Sequence, residues 1–156
     1  MQDIRIHKII WKKPLELPYV QGSGLHCGFP SPALDYTKKP IDLNELLISH
    51  PSATIVASVF GDSMKDAGIM DPAHLVIDRA EKLVNNDIVV VVVDGDFKVR
   101  RYTKDKEGVV TFYSENKEKQ HLYPPLKLND GHDVELWGVV TKIILDPRVV
   151  YANSRI

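Results

Sequence analysis

Two textures of apolar and polar positions meet near residue 54. Before it, residues 1–40 mix charges with Pro or Gly at 14, 18, 22, 24, 28, 30, 32 and 40, a spacing that interrupts helix and strand and predicts an extended N-terminal arm. IDLNELLISHP (41–51) then sets Asp42 and Glu45 at capping-box spacing ahead of an apolar run that Pro51 closes, so about two turns of helix are expected. From Thr54 onward the runs are β-branched and short. TIVASVF (54–60), HLVIDRA (74–80), VVTFYSE (109–115) and VELWGVVTKIIL (134–145) read as strands. DIVVVVVDGDFKVRRY (87–102) reads as a hairpin, because Asp94-Gly95 supplies the positive φ angles of a tight turn, with Ile88, Val90 and Val92 or their neighbours buried. No helical period follows residue 70 and no repeat recurs. The predicted fold is therefore mostly β: a compact, twisted, antiparallel β structure over residues 41–156, with one short helix and the extended arm of residues 1–40.

Composition narrows the function classes. At 156 residues and 44% hydrophobic, the chain fits one globular domain. Its longest apolar run, Ile88 to Val93, is far short of the roughly 20 residues that cross a bilayer, and no signal-peptide core opens the chain, so a cytoplasmic protein with no membrane contact is expected. A single cysteine makes no internal disulfide, which agrees with a reducing compartment. A net charge of −1 without a long basic block disfavours direct sequence-specific DNA binding. The six histidines show no H-x-x-x-H spacing and no C-x-x-C occurs, so no metal and no cofactor is implied.

Two stretches carry candidate chemistry. LHCGFPSPALDY (25–36) holds Cys27 in a run punctuated by Gly and Pro. Cys27 is either a small apolar residue that tucks a loop onto the body or part of a cleavage segment, since a chain without a hydrogen-bond ladder enters a protease cleft as a single strand. FGDSMKDAG (60–68) directly follows a strand. There Gly61 and Asp62 turn the chain, Ser63 sits at the apex, and the amides after it are available to a substrate carbonyl. A turn whose Ser63 merely caps a short helix fits the same residues.

The blocks CGFPSPA, LLI-HPSAT, GDSM and DIVVVVVDGDF, in that order from Cys27 to near Thr141, resemble the LexA-like family of self-cleaving serine peptidases, and within it the UmuD branch of SOS mutagenesis proteins. The resemblance implies a LexA- and signal-peptidase-like fold for residues 41–156. It also implies RecA-stimulated scission of the Cys27–Gly28 bond by Ser63, aided by a lysine on a later strand. The partners it implies are a second copy of the chain, a UmuC-type Y-family DNA polymerase and the RecA filament on single-stranded DNA. Only 26 residues precede Cys27 and no run is long and apolar enough for an anchor, so neither a repressor's helix-turn-helix module nor a signal peptidase's membrane anchor is expected.

The sequence departs from the family at the base. Where the family usually reads FTVKK, this chain reads FKVRR (97–101), which sets Arg100 at the lysine position. Neutralising a lysine of pKa about 10.4 near pH 7 costs roughly 4 to 5 kcal/mol, which burial can supply. For arginine the same step costs on the order of 9 kcal/mol, so Arg100 remains a donor. Lys98 points to the same strand face about 6.7 Å away and offers a substitute base; Lys65 lies close in sequence to Ser63 but should be solvated. Two classes of function follow: an autocatalytic serine peptidase, or a non-cleaving pseudopeptidase dimer that only binds a polymerase. The arm segment IIWKKPLELPYV (9–20) suits docking to a protein surface, either a partner's or its own dimer's.

Overall fold

The computed structural model describes residues 4–7, 16–20, 37–128 and 130–148. In chain order the elements are β1 (Ile4–His7), β2 (Glu16–Val20), β3 (Thr37–Asp42), α1 (Leu43–Leu47), β4 (Thr54–Val59), β5 (Ala73–Asp78), β6 (Ile88–Val93), β7 (Asp96–Lys104), β8 (Val110–Tyr113), β9 (Leu126–Lys127) and β10 (Val134–Ile144). The chain divides into two units, residues 10–49 and residues 1–9 with 50–156. The mostly β expectation is borne out.

In the smaller unit β2 and β3 pair antiparallel, and α1 follows β3 directly. Asp42 caps the helix as its spacing predicted, its carboxylate accepting from the Asn44 amide at 2.9 Å. The helix has five residues, fewer than two turns, because Ile48 is already extended (φ −133°, ψ 112°) before Pro51 is reached.

In the larger unit eight strands form one antiparallel sheet in the order β1-β4-β5-β10-β6-β7-β8-β9. β10 joins its two halves: Val134–Val139 pairs with β6 and Val139–Ile144 with β5, with a register shift in each span. Gly138 lies in one of them, and a Cβ there would stand 2.6 Å from Ile77 Cγ2. A side chain at that position would push β10 off β5. The β6–β7 hairpin turns at Asp94 (φ 51°) and Gly95 (φ 90°), the two-residue loop expected of Asp-Gly.

The valine run is buried on both faces rather than one. Val90 packs with Ala57, Val59, Met64, Leu75, Ile77 and Val99, whereas Val89, Val91 and Val93 pack with Phe112 and Val139. Such a strand reads as a continuous apolar run because neither side meets water. β1 is an edge strand with Ile4 opposite Val59 and His7 opposite Val56, and Ile4 packs on the first cluster. None of the described helices is long and apolar enough to cross a membrane.

Candidate functional site

The serine turn grows out of the end of β4. Gly61 takes φ 96°, which lets the chain reverse, and Met64 and Ile69, both fully buried, anchor the far side of the turn in the core. A three-residue 3-10 turn (Lys65–Ala67) follows and closes at Gly68 (φ 78°). Ser63 is 1% exposed. Of the amides after it, Lys65 N donates to Asp62 O at 3.1 Å and Asp66 N to Glu115 O at 2.8 Å. Those two are used internally, a narrower supply of donors than the sequence suggested.

The segment after β8 holds this turn. Glu115 N donates to Ser63 O at 2.9 Å, and the buried Asn116 donates from Nδ2 to Asp62 O at 2.8 Å. Asp62 receives Lys119 Nζ on Oδ2 at 2.5 Å and Tyr123 Oη on Oδ1 at 2.7 Å. These two donors, Lys119 foremost, hold the Asp62 carboxyl below the ordinary aspartate range. The same contacts push Lys119 and Tyr123 up, so both keep their protons.

β7 delivers the arginines. Arg100, 6% exposed, donates from Nη1 to Ser63 Oγ at 3.1 Å and to Val99 O at 2.7 Å. Burial draws its pKa below the ordinary arginine value, but a guanidinium has no lone pair to offer at neutral pH. Arg101 pairs with Glu115 at 2.5 Å, and so supports from behind the residue that holds the Ser63 carbonyl. Lys98 is half-buried and lies opposite Val91 on β6. Lys65 reaches Glu118 at 3.3 Å. Cys27 and Gly28 lie outside the described residues.

Residues 18–141 match the family described as Peptidase S24-like. The chain belongs to this family. Among its relatives, ImpA of Escherichia coli is 39% identical over 117 residues, 75% of this chain and 76% of ImpA. MucA of Escherichia coli is 34% identical over 122 residues, 78% of this chain and 80% of MucA. The LexA repressor of Shewanella baltica is 36% identical over 83 residues, 53% of this chain and 38% of the repressor. The resemblance to UmuD-like proteins of the LexA family, read from CGFPSPA, LLI-HPSAT and GDSM, is thereby borne out.

The arrangement can orient a serine oxygen and stabilise negative charge on it. Arg100 donates to Ser63 Oγ, and Lys119 and Tyr123 donate to the neighbouring Asp62. Sequence reading singled out Ser63 and Arg100 but missed Asn116, Lys119 and Tyr123. Nothing local marks these residues, since each meets Asp62 across 54 to 61 residues of chain.

Proposed function

We propose that the chain is a UmuD-like accessory module of SOS translesion DNA synthesis in which Arg100 keeps Ser63 from cutting. It acts by binding: a homodimer that engages a UmuC-type Y-family polymerase and responds to the RecA filament. The observation that carries the reading is the 3.1 Å contact from Arg100 Nη1 to Ser63 Oγ. A permanently protonated donor fills the position from which a base must take the serine proton. Membership in the S24-like family, with relatives across 75% of the chain, supports the accessory role.

A second reading, self-cleavage between Cys27 and Gly28, is favoured by the care with which the turn is kept: Ser63 is buried and its flanking carbonyls are held by Glu115 and Asn116. Its base would be Lys98, on the same face of β7 as Arg100.

Incubation with and without RecA filament, read by mass spectrometry for a fragment beginning at Gly28, separates the two. The proposal expects wild type intact, Arg100→Lys cut, and Arg100→Lys with Ser63→Ala intact. Wild-type cutting that is lost in both Ser63→Ala and Lys98→Ala would establish the second reading, and cutting that survives Ser63→Ala defeats both. Failure of the purified chain to co-elute with a UmuC-type polymerase on size exclusion would defeat the accessory role.

A further inference from the structure

The sheet gathers a second group of chemistry-bearing side chains away from Ser63. In the β4–β5 register Thr54 lies opposite Asp78, whereas Val59, which leads into the serine turn, lies opposite Ala73. The two ends are therefore about 16 Å apart along the strands. At the Thr54 end, His50, Asp78 and Glu81 each offer one ligand atom, and all three atoms lie within 4.8 Å of one another. We propose that His50, Asp78 and Glu81 form a binding site for a divalent cation of the zinc class.

Two of the three ligands are fixed before any ion arrives. Asp78 is 2% exposed, with Oδ1 accepting from Ala80 N at 2.8 Å and Oδ2 lying 2.6 Å from His50 Nδ1. His50 stands on a tied turn: its carbonyl accepts from Ala53 N at 2.9 Å and Thr54 Oγ1 at 2.7 Å, and Ala53 O accepts from Arg79 N at 3.0 Å. Glu81 is exposed and supplies the third oxygen by rotation of its side chain. Preorganisation of this kind removes much of the ordering cost of binding.

Charge and donor chemistry agree. Two carboxylates converge on one imidazole, while Arg79, which directly follows Asp78, has its guanidinium 5.4 Å from the centre of the Trp137 ring. An imidazole nitrogen with two carboxylate oxygens suits zinc and its first-row neighbours, whereas magnesium and calcium prefer oxygen alone. Tetrahedral zinc at about 2.0–2.2 Å from each donor sets the donors roughly 3.3 Å apart, so the His50–Asp78 contact opens by less than about 1 Å while Glu81 closes in. The ion takes the place of the proton on that contact and releases it to solvent. Three protein ligands leave one position for water.

The three ligands are separated by 28 and 3 positions, which no short motif encodes. The test uses the full chain, freed of metal by a chelator and titrated with zinc chloride under calorimetry and thermal melting. One equivalent should bind and raise Tm, magnesium should not compete, and Glu81→Gln should weaken binding roughly tenfold or more. His50→Gln should do the same, while His74→Gln, an exposed histidine outside the group, should bind as wild type. If His50→Gln does not fold, the exposed Glu81→Gln carries the test. Absence of zinc-dependent heat, or binding that is lost in His74→Gln and kept in Glu81→Gln, overturns the site.

Discussion

Replacing Arg100 by lysine puts a group that can lose its proton beside Ser63 Oγ, where the Arg100 guanidinium now donates. The lysine Nζ reaches about as far as the arginine Cζ, one bond short of the Nη1 that makes the 3.1 Å contact. At pH 7 an unburied lysine would need about 4.6 kcal/mol to become neutral, and arginine on the order of 9 kcal/mol. Position 100 is 6% exposed, and its burial already draws the guanidinium down. The same desolvation acts on an ammonium, and buried lysines fall by up to about 3–5 units. A fall of about 3 units leaves roughly a third of the molecules with a neutral amine at pH 7, so the cleavage rate should rise about threefold by pH 9 and level off. With no fall, the rate should climb roughly tenfold per pH unit up to pH 10. The assay follows the Gly28 fragment by mass spectrometry in a pH series from about 6 to 10, with near-ultraviolet dichroism to show that the variant is folded. A folded Arg100→Lys that stays intact throughout would refute the assignment of position 100, as would a cutting rate that falls as pH rises.

Three further outcomes test the frame around this site. Gly138→Ala should cost about 1–3 kcal/mol, because its Cβ meets Ile77 Cγ2 at 2.6 Å in a packed core; at roughly 2–4 °C of Tm per kcal/mol, an unchanged melt would contradict it. Asn116→Ala leaves Asp62 O and Lys119 N without their side-chain partners and should cost about 1–3 kcal/mol, while slowing cleavage in an Arg100→Lys background. Asp62 is held below its ordinary range chiefly by Lys119 and then Tyr123, so its contribution is present above about pH 4 and is lost as pH falls through the folded value. Wild type should therefore lose more Tm than Asp62→Asn between pH 6 and 3; equal losses would remove the network from the stability of the turn.

Local residues wrote most of the strands. β4, β6, β8 and β10 each fall within a stretch whose β-branched texture marks it, β5 and β7 overrun theirs by one and two residues, and Asp94-Gly95 marks its own turn, because strand propensity and positive φ are decided within a few residues. The Asp42 cap was legible for the same reason, yet the helix stops at Leu47, ahead of the two turns its pattern allows. The burial of β6 on both faces was half legible: six consecutive apolar residues forbid a wet face, but they do not say which neighbours cover each side.

The sequence by itself determined the mostly β class, the Gly61-Asp62-Ser63 turn and, through its resemblance, the pairing of Ser63 with position 100. Only the tertiary structure decided that Arg100 meets Ser63. A period of two puts Lys98 and Arg100 on one strand face, and the register of β7 against β6, with the serine turn folded in from β4, brings Arg100 to Oγ. The tertiary structure likewise assembled Asp62 with Asn116, Lys119 and Tyr123, and His50 with Asp78 and Glu81. Such groupings depend on twist, register and bulges that all the strands of a sheet set together, so no single stretch of chain contains them.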